Sequence, residues 1–141
     1  MHMTAQQQAE TLIRATGARL TRPCTRVLEF LLGQAAPLTH HDIHALLPGA
    51  ALDAVTLYRV LEWLTANNLV HRVAGLDQVW RFGASSGRHY HDHAHFHCTR
   101  CDGVTCFNDM PLPRRPKMPV GFTRQDMGLL IKGICPHCAG K

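Results

Sequence analysis

The sequence predicts an α+β chain: a winged helix-turn-helix over residues 1–82, a hinge at 83–87 and a small α/β domain over 88–141. Three observations carry this. Apolar residues recur at helical spacing through the first half and then give way to two short β-like runs. A stretch of small residues, Gly83-Ala84-Ser85-Ser86-Gly87, follows and has the composition of a flexible connector. Beyond it stand two cysteine pairs, Cys98-x-x-Cys101 and Cys135-x-x-Cys138, whose spacing lets four thiolates close a tetrahedral zinc site.

Each element has its own signal. Residues from about Ala5 to Thr16 form a weakly amphipathic helix that Gly17 ends. Thr21 caps a second helix, with Pro23 in its first turn and Val27, Leu28, Leu31 and Leu32 on one face. Thr39 opens a third, with Ile43, Leu46 and Leu47 as its apolar face, and Pro48-Gly49 stops it. Asp53 caps a fourth helix running to about Ala66. Leu57, Val60, Leu61 and Leu64 form its core stripe. Thr56, Arg59, Glu62 and Trp63 occupy the opposite face, with Tyr58 near its edge, and Asn67-Asn68 terminates it. The runs Leu69–Val73 and Gln78–Phe82, joined by a glycine-containing turn, read as the wing. Past the connector, Ala94–Cys98 and Gly103–Phe107 read as strands flanking the first cysteine turn. Leu129–Ile134 is a last strand that delivers Cys135 to the first pair, and four prolines between Met110 and Pro119 exclude a long helix there.

Composition narrows the function. The net charge is +5, split as +1 over residues 1–82 and +4 over 83–141, so any footprint on nucleic acid must come from placement rather than sum. The sequence holds no run of about 18 apolar residues, so no membrane-spanning helix is expected. A polar N-terminus and cysteines at metal spacing point to a reducing cytoplasm, with disulfides in a secreted protein as the competing reading. A zinc hydrolase would need a base near its histidines. There is no His-Glu-x-x-His, and the glutamates, Glu10, Glu29 and Glu62, all fall in the helical half.

Four cysteines leave no open position on an ion, so Cys98, Cys101, Cys135 and Cys138 argue for structure, and any functional metal belongs elsewhere. Five histidines fall between His89 and His97 at every second position. In a strand, alternate residues share a face, so several imidazoles can converge on one ion; a solvated histidine-rich loop is the plainer alternative. Cys106 is the unpaired cysteine nearest them, and a thiolate among imidazoles favours zinc or copper; a small buried hydrophobe is its other reading. Cys24 reads as core. His40 and His44, four apart on the third helix, read as surface histidines. On the fourth helix, Thr56, Tyr58 and Arg59 stand where a recognition helix meets base edges and phosphates, and Arg19, Arg22 and Arg26 can hold backbone phosphates.

The order of these parts resembles the ferric-uptake-regulator family. Ala54-Val55-Thr56-Leu57-Tyr58-Arg59-Val60-Leu61 resembles its recognition helix, and Arg19-Leu20-Thr21 the opening of its second helix. His93-Ala94-His95-Phe96-His97-Cys98-Thr99-Arg100-Cys101 resembles its metal-binding run, and Gly133-Ile134-Cys135-Pro136-His137-Cys138 its closing strand. The resemblance spans about residues 10 to 138. It implies a homodimeric, metal-responsive DNA-binding repressor whose C-terminal α/β domain dimerises, with a structural zinc in the cysteine pairs, a second metal at the hinge and an AT-rich inverted repeat as operator. The second metal would sit on His91, His93, His95 and Cys106, which match ligand positions found across the family. The chain departs from the iron-binding pattern: Cys106 replaces an acidic residue, Met127 (beside Asp126) replaces a histidine, Arg81 falls near an acidic ligand of the wing, and Pro37-Leu38, with His40 close by, falls near a histidine. A nitrogen and sulfur set is most like the zinc-uptake-regulator branch, with an iron or peroxide sensor, or a metal buffer that does not bind DNA, as rivals.

Overall fold

The computed structural model describes residues 2–85, 94–107, 110, 114, 116–124 and 127–140. The chain divides into two compact units, Met1–Gly87 and Arg88–Lys141.

In the first unit, each helix begins where a side chain satisfies an orphan N–H. Helix α1 (Ala5–Ala15) opens on a reciprocal pair: the Thr4 hydroxyl accepts from the Gln7 N–H at 3.1 Å, and the Gln7 side chain accepts from the Thr4 N–H at 2.9 Å. Thr21 caps α2 (Arg22–Leu32) through the Cys24 N–H, and Thr39 caps α3 (His40–Leu46) through the Asp42 N–H. Asp53 caps α4 (Ala54–Ala66) through the Thr56 N–H at 3.1 Å. Asn68, at φ 59°, then turns the chain out of α4, and the Leu69 N–H closes back on the Leu64 carbonyl at 2.9 Å.

The apolar stripes of these helices meet in one core. Ile13, Val27, Leu28, Ile43, Leu57, Leu61 and Leu64 are fully buried there, and Leu31 nearly so. Cys24 packs against this core, in line with the sequence reading. Trp63 packs against it too, which corrects its assignment to the solvent face: the indole is large enough to reach the core from the flank of the stripe.

The wing is a three-stranded antiparallel sheet in the order β1-β3-β2, from β1 (Leu38–Thr39), β2 (Val70–Ala74) and β3 (Trp80–Ala84). Its strands start one to two residues later than the sequence pattern suggests. The reason lies in the turn: Gln78 takes a left-handed conformation at φ 62°, and Arg81, only 7% exposed, reaches back to Asp77 with a two-pronged bond at 3.0 and 2.9 Å.

The second unit is a three-stranded sheet in the order β5-β4-β6, with β4 (Ala94–Cys98) central. Strand β5 (Val104–Phe107) runs antiparallel to it and β6 (Leu129–Gly133) parallel, so β6 ends beside the first cysteine turn. A single-turn helix, α5 (Pro136–Ala139), follows Cys135. Gly133 gives the β4–β6 contact its room: a Cβ there would stand 3.1 Å from the Phe96 ring, which itself stacks on Phe107, so the ring would have to shift by a few tenths of an ångström.

Candidate metal centre and nucleic-acid face

The parallel register pairs Cys98 with Gly133, which places Cys135 two residues past the end of the same ladder. The first cysteine turn is tied by the Asp102 N–H to the Cys98 carbonyl at 3.0 Å and the Cys98 N–H to the Gly103 carbonyl at 2.9 Å, with Asp102 left-handed at φ 60°. Across the gap, the Thr99 N–H bonds the Gly133 carbonyl at 2.8 Å. All four sulfurs, of Cys98, Cys101, Cys135 and Cys138, then lie within 4.8 Å of one another. Cys101 and Cys135 are 3.9 Å apart, near the roughly 3.8 Å edge of a tetrahedron with metal–sulfur bonds of about 2.3 Å. That is far beyond a disulfide bond of about 2.05 Å, so the geometry is that of an ion cage rather than of paired bridges.

The thiols are electrostatically unequal. The Cys101 and Cys135 backbone N–H groups converge on Cys98 and pull its thiol down to about 6; the Cys135 N–H stands 3.4 Å from that sulfur. Cys138 is pushed up to about 12, first by hydrogen bonding with Cys135 and then by burial. The Cys98 thiolate forms readily while the Cys138 thiol resists, a conflict that a divalent cation among the four sulfurs would remove.

The second candidate set is brought together in part. Cys106 lies directly opposite His95 in the antiparallel register, so the two side chains share a face, and a ring nitrogen of His95 lies within 4.8 Å of the Cys106 sulfur. Burial pushes the Cys106 thiol up to about 11. His91 and His93 lie outside the described residues, as do His89 and Asp126. His97, on the same face as His95, is 1% exposed, and its Nε2 meets the Asp102 carboxylate at 3.1 Å, bracing the cysteine turn. Sequence reasoning missed that role. The alternation of histidines makes His97 look like its neighbours, and only the left-handed turn at Asp102 tells them apart.

On α4 the exposed face presents Val55, Tyr58, Arg59 and Glu62. Glu62 accepts the Tyr58 hydrogen bond one turn on, which, with its charge, raises the phenol above its ordinary value of 10, while Arg72 on β2 pulls the other way. Thr56 is half-buried. Its hydroxyl donates to Asp53, and this bond, ahead of the Thr56 N–H, holds the Asp53 carboxyl below its usual range. Arg19 and Arg22 are exposed, but Arg26 is committed to the loop after α3, donating to the Pro48 and Ala50 carbonyls. Arg26 is therefore a loop clamp, a correction to its reading as a phosphate contact. His40 and His44 also serve this region. Their Nε2–H groups meet the Ala54 and Leu52 carbonyls at 3.2 and 2.9 Å, steadying the entry to α4.

A winged helix-turn-helix is thus followed along the chain by a four-cysteine cage interleaved with a histidine–cysteine pair. The sequence profile of the Ferric uptake regulator family matches residues 15–129. The chain belongs to the ferric uptake regulator family. Its members are metal-responsive transcriptional regulators rather than enzymes. Among similar curated proteins, the peroxide operon regulator of Bacillus subtilis (strain 168) is 29% identical over 150 residues, covering 99% of this chain and 98% of the relative. The transcriptional regulator FurA of Mycobacterium bovis is 29% identical over 134 residues, covering 90% and 87%. Among solved structures, a zinc uptake regulator complexed with zinc and DNA matches at a TM-score of 0.70 and 22% identity, covering 99% of this chain and 97% of that one. Another, holo XcZur, matches at a TM-score of 0.64 and 25% identity, covering 96% and 97%. Among the described residues, no helix is long and apolar enough to cross a membrane.

Proposed function

We propose that this ferric-uptake-regulator chain is a zinc-sensing repressor of metal-uptake genes, acting in the cytoplasm as a homodimer on an AT-rich inverted repeat. One zinc is structural, held by Cys98, Cys101, Cys135 and Cys138. A second, regulatory zinc is held by His91, His93, His95 and Cys106. Tyr58, Arg59, Thr56 and Arg19 meet the operator; with its hydroxyl on Asp53, Thr56 offers the DNA its methyl edge.

The observation that carries this reading is Cys106 opposite His95. A thiolate beside imidazole is a borderline-soft donor set, which suits zinc better than the oxygen-rich environment ferrous iron prefers. Zinc at this set works by population shift: it binds the DNA-competent dimer more tightly than the incompetent one and favours operator binding by that difference. By reciprocity, operator binding tightens zinc by the same factor.

A second reading, an iron- or peroxide-responsive repressor, draws support from the curated relatives, which are a peroxide regulator and FurA. The two part on metal identity. Metal analysis of purified protein, with operator affinity titrated against zinc, iron and manganese, should give two zinc per chain and a response at the lowest free concentration for zinc. A response to iron alone would decide for the second reading. Absence of operator binding with every metal and with chelator would leave a metal-buffering protein.

A further inference from the structure

On the exposed face of α4, one residue serves neither the fold nor any polar contact with DNA. Val55 is the second residue of the helix and 59% exposed. It lies three and four positions before Tyr58 and Arg59, so the three side chains form one contiguous patch. A β-branched residue gains nothing for an exposed first turn, where alanine suits the helix better. Neighbouring groups in the same turn are otherwise engaged: Asp53 caps the helix, and the Thr56 hydroxyl donates to Asp53.

Resting on the reading of α4 as the DNA-recognition helix, we propose that Val55 is a specificity-determining residue that packs against the C5-methyl of one thymine in each operator half-site. The major groove exposes donors and acceptors on every base pair, but its single apolar group is that methyl. An isopropyl group presented beside an arginine and a tyrosine therefore has one complementary partner. Cytosine carries only a hydrogen at C5, so it offers the valine no methyl to pack against, and thymine is selected over cytosine.

Methyl replacement in the DNA tests this directly. The zinc-loaded wild-type protein would select a duplex from a randomised pool, and each thymine of that duplex would be replaced in turn by deoxyuridine, which lacks only the methyl. One thymine per half-site should be sensitive, its replacement weakening wild-type binding by roughly fourfold, the worth of one buried methyl. Val55→Ala should bind the parent duplex less tightly by a similar factor and be indifferent to that same replacement. Val55→Thr, which keeps one methyl, should retain part of the sensitivity, and it carries the comparison if Val55→Ala selects no duplex. Equal losses for wild type and variant at every thymine would remove the Val55 contact while leaving α4 as the reading helix. If the wild-type protein selects no duplex with or without zinc, the DNA-binding reading itself falls.

Discussion

Replacing Cys135 with serine should unfold the second unit while leaving the first intact. Among the described residues of that unit, the fully or nearly buried apolar side chains are Ala94, Cys98 and Val104, against a core of more than ten in the first unit. A sheet with so little apolar burial would lean on an ion held by its four cysteines. Structural zinc in small domains contributes about 10–16 kcal/mol, so one thiolate of four is worth about 2.5–4 kcal/mol if shared evenly, on the order of a hundredfold in folded population. Cys135 also joins the end of β6 to the first cysteine turn, with its sulfur 3.9 Å from that of Cys101. Hydrogen exchange read by mass spectrometry would separate the units. In Cys135→Ser, amides of Phe96–Cys98 and Ile131–Gly133 should exchange roughly a hundredfold faster, while those of Leu28–Leu31 and Leu57–Leu64 keep their protection. Cys24→Ser, away from the cage, should leave the β4 and β6 amides unchanged. Full protection of β6 in zinc-free Cys135→Ser would show that the sheet stands without its metal, and the argument from thin burial would be wrong.

Three other perturbations read other parts of the molecule. Cys106→Ser should reduce bound zinc from two ions per chain to one; retention of both, with an unchanged zinc dependence of operator binding, would remove Cys106 from the sensor. Because burial raises its thiol to about 11, Cys106 keeps its proton at neutral pH, so zinc must displace that proton and affinity should strengthen as pH rises. Titration calorimetry of the wild-type protein in buffers of different ionisation enthalpy should show proton release accompanying the second zinc, an event the serine variant lacks. Arg59→Ala should weaken operator binding by about tenfold or more with or without zinc, the worth of a lost guanine or phosphate contact, and wild-type affinity would mean that α4 does not read the DNA. Asp77→Ala strips the nearly buried Arg81 of its two-pronged partner at 2.9 and 3.0 Å and should cost about 1.5–3 kcal/mol, several degrees in the melting temperature of the first unit; an unshifted melt would show that Arg81 finds water instead.

Which of these features can be read from the sequence follows from the physics of each. Thr21, Thr39 and Asp53 announce helix starts because a capping side chain and the apolar stripe it introduces are neighbours in sequence. The cysteine pairs announce an ion for the same reason. The features that stay hidden are polar partnerships made between elements. Arg81 looks like a solvated charge until the left-handed turn at Gln78 brings Asp77 back to it. Arg26 looks like a phosphate contact until the loop after α3 offers two carbonyls. Strand β1, two residues long, has no period to detect and exists because β3 presents a free edge to Leu38 and Thr39. The same distinction bears on the histidine run. Alternation alone puts His95 and His97 on one face and suggests one role for both. The structure separates them: cross-strand register gives His95 the Cys106 sulfur as its neighbour, and the left-handed turn at Asp102 gives His97 a carboxylate that braces the cysteine turn. Two residues apart, one imidazole faces a thiol across the sheet and the other braces the turn that carries two of the four clustered cysteines.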